Sequence, residues 1–204
     1  MNGVETALRQ AVADLHSIGA PWALVGGLAV SVRTEPRFTA DVDVAVGVAD
    51  DTTAEACVLS LRSAGYQLTA TVEQEAVGRL ATVRLTAPNS GIDGVIVDVL
   101  FASSGIEPEI VDTAEPLEIL PGLIVPVART GYLLALKVLS RDDQSRPQDA
   151  VDLRALLEVA SIDDHDVAGT AVALITQRGF HRGRNLHGEL SALLRAYEGG
   201  SAGL

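Results

Sequence analysis

Aromatic side chains are scarce in this sequence, which contains three Phe, three Tyr and one Trp and is 3% aromatic. Leu, Val, Ile and Ala must therefore fill most of any hydrophobic core, which favours close packing of helices and strands. Apolar residues still make up 48% of the chain and charged residues 21%, fractions that exclude a largely disordered polypeptide. A length of 204 residues suffices for one substantial domain, with or without a helical extension.

Cysteine is also scarce, and Cys57 is the only cysteine in the sequence. No internal disulfide can form, so a reducing compartment is the natural location. The N-terminal residues lack an apolar signal core, and no run approaches the roughly 20 apolar residues that a membrane span requires. We therefore expect a cytoplasmic protein that does not cross a membrane.

Positive charge is also in short supply. Lys and Arg number 15 against 27 Asp and Glu, so the formal net charge is −12. This excess of acidic residues disfavours a general affinity for nucleic acid but allows a local basic groove. Arginines do cluster along the chain, and each cluster is either part of such a groove or ordinary solvated charge. The clusters are Arg33 and Arg37; Arg129, Arg141 and Arg146; and Arg178, Arg182 and Arg184.

The first 129 residues combine helical and extended patterns of apolar residues. The predicted helices are 4–18, 28–33 and 51–64, and the predicted strands are 22–25, 41–48, 66–71, 80–86 and 95–101, with two short extended pieces within 116–127. The run Pro88-Asn89-Ser90-Gly91 favours a hairpin turn.

The pattern changes at Thr130, after which helical periodicity dominates. The predicted helices of this part are 131–140, 148–160, 164–177 and 186–197. We therefore predict a mixed α/β core over residues 1–129, a helical part over 130–198 and a flexible tail over 199–204.

Two carboxylates stand in the clearest strand of the sequence. Asp41 and Asp43 are two residues apart, so their side chains share one face of the strand, roughly 6.5 Å apart. Two hard oxygen ligands at this spacing can hold a divalent cation against phosphate groups. The alternative is a strand with one solvated face.

A third carboxylate, Asp98, stands in a strand whose two faces are both apolar. A carboxylate in such an internal strand is costly unless it meets a cation or hydrogen-bond donors. Asp98 is therefore a candidate metal ligand beside the first two carboxylates, and the alternative is a pair with a buried arginine.

The pair Gly26-Gly27 separates a short strand from a short helix. Glycines let the backbone approach a ligand closely, and the N-terminus of a helix attracts phosphate. A Gly-Gly pair alone indicates only a tight turn, but this one precedes the carboxylate strand by about fifteen residues.

The run Gly26-Gly27-x5-Arg33-x5-Thr39-x-Asp41-x-Asp43 resembles the signature of the polymerase-β-like nucleotidyltransferases. Within that superfamily the chain is most similar to the AbiEii/MenT branch, the toxin halves of bacterial toxin–antitoxin and phage-defence pairs. The resemblance spans about residues 22–157 and implies a mixed sheet followed by a helical C-terminal part that completes the active site. It also implies that Arg33 and Thr39 join the two glycines in binding the nucleotide.

The branch carries a lysine-bearing helix, a basic loop and an Asp-x-x-Asp-Leu segment, which match Lys137, residues 141–146 and Asp149 to Leu153 here. Lys137 is the only lysine beside fourteen arginines, and it lies on or next to the apolar face of its helix. It can contact a triphosphate as a compact charge, or it can simply extend toward solvent. The resemblance implies that Asp149 or Asp152 joins the catalytic residues; we favour Asp152 because it precedes Leu153.

Thr39 has two interpretations. In the MenT branch this Ser/Thr position resembles a site that some antitoxins phosphorylate, and a phosphate here would place negative charge beside the metal-binding carboxylates. The other interpretation is a threonine chosen for strand propensity.

The resemblance implies an Mg²⁺- or Mn²⁺-dependent enzyme that transfers a nucleotide from a nucleoside triphosphate to the 3′ end of tRNA and so blocks translation. The partners would be tRNA and an antitoxin protein. In one version of this interpretation the antitoxin is a kinase that phosphorylates Thr39. Two alternatives remain: an aminoglycoside-type nucleotidyltransferase, whose cationic substrate would suit the acidic chain, and a non-catalytic nucleotide-binding partner protein.

Overall fold

The computed structural model describes residues 3–37, 39–74, 77–88, 94–142 and 147–201. Its helices are α1 (Gly3–Ile18), α2 (Gly26–Arg33), α3 (Asp51–Ser63), α4 (Glu107–Asp112), α5 (Thr130–Ser140), α6 (Pro147–Val159), α7 (Ile162–Gln177) and α8 (Leu186–Ser201). Its strands are β1 (Trp22–Val25), β2 (Val42–Val46), β3 (Gln67–Gln74), β4 (Arg79–Thr86), β5 (Ile96–Leu100), β6 (Glu115–Leu120) and β7 (Leu123–Val127). No helix among these residues combines the length and apolarity needed to cross a membrane.

The strands form one mixed sheet of seven, in the order β3-β4-β5-β2-β1-β7-β6. β2 pairs parallel with β5 and antiparallel with β1, while β1 pairs parallel with β7. The remaining pairs, β3–β4, β4–β5 and β6–β7, are antiparallel. The predicted mixed sheet followed by helices is confirmed.

β2 lies at the centre of the sheet because its alternating pattern buries one complete face. Val42, Val44 and Val46 are each at most 1% exposed, whereas Asp43 between them remains accessible. The strand is shorter than the predicted 41–48, so Asp41 lies in the segment that leads into it. Both carboxylates nevertheless line the same cleft.

The register of the central strands brings separated residues together. Asp98 on β5 is the direct neighbour of Asp43 on β2, and Val25 at the end of β1 faces Asp43 from the other side. As predicted, β5 is an internal strand, flanked by β4 and β2. The topology therefore assembles one site from β1, β2 and β5, although β5 is far from the other two strands in the sequence.

Helix α5 joins the helical part to the sheet. It contacts α2 on one side and α6, α7 and α8 on the others. Gly131 permits the close approach to α7, because a Cβ atom there would lie 2.5 Å from the backbone oxygen of Asp164. One cluster of buried apolar residues includes Leu24 and Leu133, so the core continues across the predicted boundary at residues 129 and 130.

Three further elements differ from the sequence predictions. α2 begins at Gly26, so the two glycines belong to the helix, and the short helix α4 was not predicted. α8 extends to Ser201, into the segment expected to be a flexible tail. The predicted hairpin turn falls largely on residues 89–91, outside the described residues.

Candidate active site

Six of the predicted site residues line a single cleft of about 630 Å³. The end of β1, the centre of the sheet and α5 each contribute to it, and the β3–β4 hairpin forms a further wall. The six residues are Gly26, Gly27, Asp41, Asp43, Asp98 and Lys137.

Asp43 is held against the first turn of α2. The backbone N–H of Gly27 donates a hydrogen bond to its carboxylate. Gly26 has a φ of +64°, and a Cβ atom on it would lie 2.0 Å from Oδ2 of Asp43. Gly26 is therefore required to seat this carboxylate, whereas Gly27 contributes its backbone N–H.

Asp98 is 8% exposed and is engaged by Arg84 from the neighbouring strand β4. Arg84 donates from Nε to Oδ1 at 2.9 Å and from Nη2 to Oδ2 at 2.7 Å. Asp98 thus stands beside Asp43 in the cleft and is paired with an arginine, although the side chain of Arg84 is 49% exposed and is not the buried arginine of the alternative. Its binding to metal remains a prediction.

The carboxylates also interact electrostatically. Desolvation raises the pKa of Asp43 to about 6, with further contributions from the neighbouring charges of Asp98 and Asp41. A divalent cation would relieve this repulsion, and Mg²⁺ is commonly held by one or two carboxylates together with substrate phosphates. Within the described ranges no group of three or more His, Cys, Asp or Glu side chains could hold a metal ion. A divalent cation at this cleft would therefore take its remaining ligands from substrate and water, and Asp41 and Asp43 would be its protein ligands.

Lys137 is fixed at the side of the cleft by two buried carboxylates. Its Nζ lies 2.7 Å from Oδ1 of Asp149 and 2.8 Å from Oδ2 of Asp152. Both candidate aspartates therefore contact the lysine. Neither of them lines the cleft itself, and their contact with the cleft is made through Lys137.

Asp152 is distinguished from Asp149 by a second cation. Nη2 of Arg37 lies 2.8 Å from Oδ2 of Asp152, which is 1% exposed. Burial opposes ionisation of Asp152 most strongly, but Lys137 and Arg37 hold its pKa below the ordinary value. The contact between Arg37 and Asp152 was not predicted from the sequence, although Arg37 lies only four residues before Asp41.

Thr39 packs against the first turn of α2. A Cβ atom on Gly27 would lie 2.7 Å from Cγ2 of Thr39 and 2.9 Å from Nη2 of Arg37. Thr39 is partly exposed. It thus stands next to Gly27 but does not line the cleft itself, and its binding to the nucleotide remains a prediction.

The structure does not bring Arg33 to the cleft. Its Nε and Nη2 donate to the backbone oxygens of Ala128 and Val127, and its Nη1 lies 2.6 Å from Glu115. These contacts attach the end of α2 to β6 and to the end of β7. The sequence spacing could not show on which side of α2 this arginine lies.

The other predicted arginine clusters separate in the structure. Arg129 pairs with Asp163, Arg178 with Glu109 and Arg184 with Glu189, whereas Arg182 lines the cleft. The predicted basic loop at 141–146 falls mostly outside the described residues, which end at 142 and resume at 147.

Comparison with known proteins gives one family and several structural neighbours. The model of the nucleotidyl transferase AbiEii toxin family, type IV toxin–antitoxin system, matches residues 8–198. No curated protein matches the sequence.

The structural neighbours are nucleotidyltransferase-like. An antigenic nucleotidyltransferase-like protein from Paracoccidioides brasiliensis is 19% identical with a TM-score of 0.51, over 95% of this chain and 92% of its own. The lincosamide antibiotic adenylyltransferase LnuA is 15% identical with a TM-score of 0.51, over 76% of this chain and 98% of its own. These similarities show the shared fold, and the family match extends through the cleft and the helical part. The chain therefore belongs to the nucleotidyl transferase AbiEii toxin family.

Proposed function

We propose that this chain is a toxin that transfers nucleotides from a nucleoside triphosphate to the 3′ hydroxyl of tRNA in the cytoplasm, and so blocks translation. The observation that carries the proposal is the convergence of Asp41, Asp43 and Lys137 in one cleft, with Gly26 and Gly27 at its edge. The family match supports nucleotidyl transfer as the reaction and toxicity as its outcome.

The residues of the cleft have distinct parts in this reaction. Bound to Asp41 and Asp43, Mg²⁺ or Mn²⁺ would polarise the phosphate oxygens and offset their charge. The amine of Lys137, oriented by Asp149 and Asp152, stabilises the negative charge of the triphosphate. The N-terminal turn of α2 fixes Asp43 through Gly27.

The transfer itself exchanges one phosphorus–oxygen bond for another. The acceptor hydroxyl attacks the α-phosphorus in line, the bond to the bridging oxygen breaks, and pyrophosphate and a proton leave. The protein forms no covalent bond to the substrate, so positioning and electrostatics account for most of the rate.

An antitoxin is the natural partner of a family that belongs to a toxin–antitoxin system. We propose that Thr39 is a site at which a kinase antitoxin silences the toxin. Its partial exposure and its contact with Gly27 support this, because a phosphate there would add about −1.5 to −2 of charge next to the carboxylates.

A second candidate acceptor is a small cationic molecule of the aminoglycoside type. The net charge of −12 and the carboxylates of the cleft favour a cationic substrate over RNA. The structural similarity to an antibiotic adenylyltransferase is compatible with it but shows only the fold.

The test is incubation of the protein with Mg²⁺, total tRNA and each labelled ribonucleoside triphosphate in turn. We expect label on tRNA with the parent protein, none with Asp41→Ala, and full labelling with Asp166→Asn, which removes an exposed carboxylate on α7. Labelled tRNA with the Asp41→Ala variant would refute the assigned site.

A parent protein that labels no tRNA would refute the tRNA proposal. The same reactions supplied with aminoglycosides then test the second candidate. Nucleotide binding without transfer to either acceptor would favour a non-catalytic partner protein.

A further inference from the structure

Arg84 belongs to a row of charged residues that crosses three neighbouring strands of the cleft. It is aligned with Asp98 on β5, which is in turn aligned with Asp43 on β2. Residues directly opposite each other on adjacent strands share one face of the sheet, and the strands are about 4.8 Å apart. The backbone of Arg84 therefore lies about 10 Å from that of Asp43, with Asp98 between them.

The side chain of Arg84 has a defined direction. Val83 and Leu85 are buried on one face of β4, whereas Arg84 is exposed on the other face, which lines the cleft. Nε and Nη2 of Arg84 donate to the two carboxylate oxygens of Asp98 at 2.9 and 2.7 Å. A guanidinium carries five N–H groups in one plane, so this pairing fixes its orientation and uses only two of them. The other N–H groups remain for a second anion, because about half of the side chain is exposed.

The row of aligned residues gives the cleft two sides. On one side of Asp43 lie the two glycines at the start of α2 and, on α5, Lys137. The N-terminus of a helix and a lysine both favour negative charge, and α5 contacts α2, so this side suits the triphosphate. Arg84 lies on the other side of Asp43, two strands away.

The side of Arg84 is open to a large acceptor. In the proposed transfer the attacking and leaving oxygens lie in line, so the acceptor approaches from the side opposite the pyrophosphate. There the β3–β4 hairpin forms the wall, and β3 is an edge strand with all of its residues exposed except Gln74. An acceptor larger than the cleft can therefore lie over the hairpin and still place its terminal hydroxyl inside.

The charges of the hairpin wall distinguish between the two candidate acceptors. The guanidinium of Arg84 matches the oxygens of a phosphate group and forms charge-assisted hydrogen bonds with them, but it repels the ammonium groups of an aminoglycoside. The same wall carries Glu73, whose negative charge has the opposite preference. Removal of either charge should therefore change the binding of RNA and of an aminoglycoside in opposite directions.

We propose that Arg84 is an acceptor-binding residue, whose guanidinium is oriented by Asp98 and binds a backbone phosphate of the acceptor RNA. This inference rests on the proposed function and deepens it, because it assigns one side of the cleft to the acceptor. It also favours a polyanionic acceptor over a cationic one.

The test removes each charge of the hairpin wall separately. Arg84→Gln removes the guanidinium, and Glu73→Gln removes the exposed carboxylate. Arg84→Lys keeps a cation beside Asp98 and replaces Arg84→Gln if the loss of that cation prevents folding. Arg154→Gln is the matched control, because the side chain of Arg154 is 83% exposed on α6 and lies outside the cleft. Thermal unfolding of each variant shows whether the fold is retained.

Two binding measurements distinguish the acceptor from the nucleotide. Fluorescence anisotropy with 5′-labelled total tRNA gives the Kd of tRNA, and calorimetry with each nucleoside triphosphate and Mg²⁺ gives the Kd of the nucleotide. Arg84→Gln should raise the tRNA Kd by about ten- to a hundredfold, the usual range for a lost charge-assisted hydrogen bond, and leave the nucleotide Kd unchanged. The slope of log Kd for tRNA against log salt concentration should fall by about 0.7–0.9, the value for one phosphate contact.

The other two variants have their own expected results. Arg84→Lys should weaken tRNA binding less than Arg84→Gln and keep the parent's salt dependence, because the charge is retained. Glu73→Gln should lower the tRNA Kd by about two- to fivefold at low ionic strength, because it removes a repulsion.

The proposal is overturned if folded Arg84→Gln, or Arg84→Lys in its place, binds tRNA as the parent does, if the nucleotide Kd rises instead, or if Arg154→Gln loses as much. It is also overturned if Arg84→Gln binds an aminoglycoside more tightly, Glu73→Gln binds it more weakly and neither changes tRNA binding. Parent protein that binds tRNA but transfers nothing to it refutes the proposed transfer, while the Kd values still decide the role of Arg84. Parent protein that binds no tRNA refutes both.

Discussion

The carboxylate of Asp43 occupies the space that a side chain on Gly26 would need, since a Cβ atom there would lie 2.0 Å from Oδ2 of Asp43. The first residue of α2 therefore determines where the central carboxylate of the cleft lies. Strand β2 supplies the backbone of Asp43, and α2 supplies the surface against which its side chain rests.

Gly26→Ala should reduce transfer by about a hundredfold, because it forces Asp43 out of place and also puts a side chain at a φ of +64°. The backbone conformation alone costs about 1–2 kcal/mol, and a misplacement of about 1 Å at an active site costs about a hundredfold in rate. Gly19→Ala is the matched control, because Gly19 has a φ of +73° and no atom within 4 Å of the added Cβ. Unfolding and transfer assays should show similar backbone costs but a loss of activity only at Gly26. Equal activity of the two variants would contradict this account.

Lys137→Met should impair both stability and transfer. It leaves Asp149 and Asp152, which are 5% and 1% exposed, without their shared cation. Breaking a buried ion pair on one side costs about 3–5 kcal/mol. Adding Asp149→Asn to Lys137→Met should restore part of the stability and none of the transfer, as measured by urea unfolding and by labelling. Recovery of activity in the double variant would show that Lys137 is only structural.

Thr39→Val should leave transfer activity unchanged, whereas Thr39→Glu should reduce it. Valine keeps a methyl group where Cγ2 of Thr39 packs against Gly27, so the fold and the transfer rate should be retained. Glutamate places a negative charge near Asp41 and Asp43 and should reduce transfer at least about tenfold through weaker binding of the triphosphate. Kinetics at varied nucleotide concentration measure both effects. A parent-like KM for the glutamate variant would argue against phosphorylation at Thr39 as an off-switch.

The start of α7 provides a prediction about acid stability. Ser161 and Asp164 form a capping box, and Asp164 also accepts from the backbone N–H of Gly131 on α5. Burial opposes ionisation of Asp164 most strongly, but these hydrogen bonds hold its pKa below the ordinary value of 3.8. A lowered pKa stabilises the folded state above about pH 4, and the contribution disappears as pH falls through the folded value.

Ser161→Ala should cost about 1 kcal/mol of unfolding free energy near pH 7. Asp164→Ala should likewise be less stable than the parent near pH 7, and its deficit should shrink as the pH is lowered below the pKa of a free carboxyl group. Denaturant unfolding at several pH values measures both deficits. A deficit of Asp164→Ala that is independent of pH would show that the carboxylate charge contributes nothing.

Cys57 should be inert in the folded protein. Burial raises the pKa of its thiol to about 11, so almost no thiolate is present at pH 8, and the side chain is 3% exposed. A disulfide reagent at pH 8 should react at the rate of unfolding and rapidly in denaturant, which absorbance measures directly. Fast reaction in buffer would place Cys57 at an accessible surface.

The sequence predicted the central strands well because their patterns depend on burial alone. Alternation of valines with aspartates marked β2, and an unbroken apolar run marked β5 as internal. Asp41, Asp43 and Asp98 could therefore be placed together before the strand order was known. Lys137 was identified by its rarity and by its place on an apolar helix.

Contacts that depend on register or on the direction of a helix face could not be predicted. The pair of Arg84 and Asp98 exists because β4 and β5 align these two residues. Arg37 contacts Asp152, which lies 115 residues later in the sequence, and no local sequence pattern can indicate a contact between residues so far apart. The helix α4 is only six residues long, too short for apolar periodicity to appear.

Lys137 also makes the cleft chemically addressable. It is the single lysine of the sequence, and its amine lies beside two carboxylates at the cleft wall. A reagent that acylates amines has no other lysine in this sequence to modify, and a nucleotide bound in the cleft would shield this one. The rate at which such a reagent adds mass at Lys137 should therefore fall as nucleotide fills the cleft, so that binding can be followed without measuring catalysis.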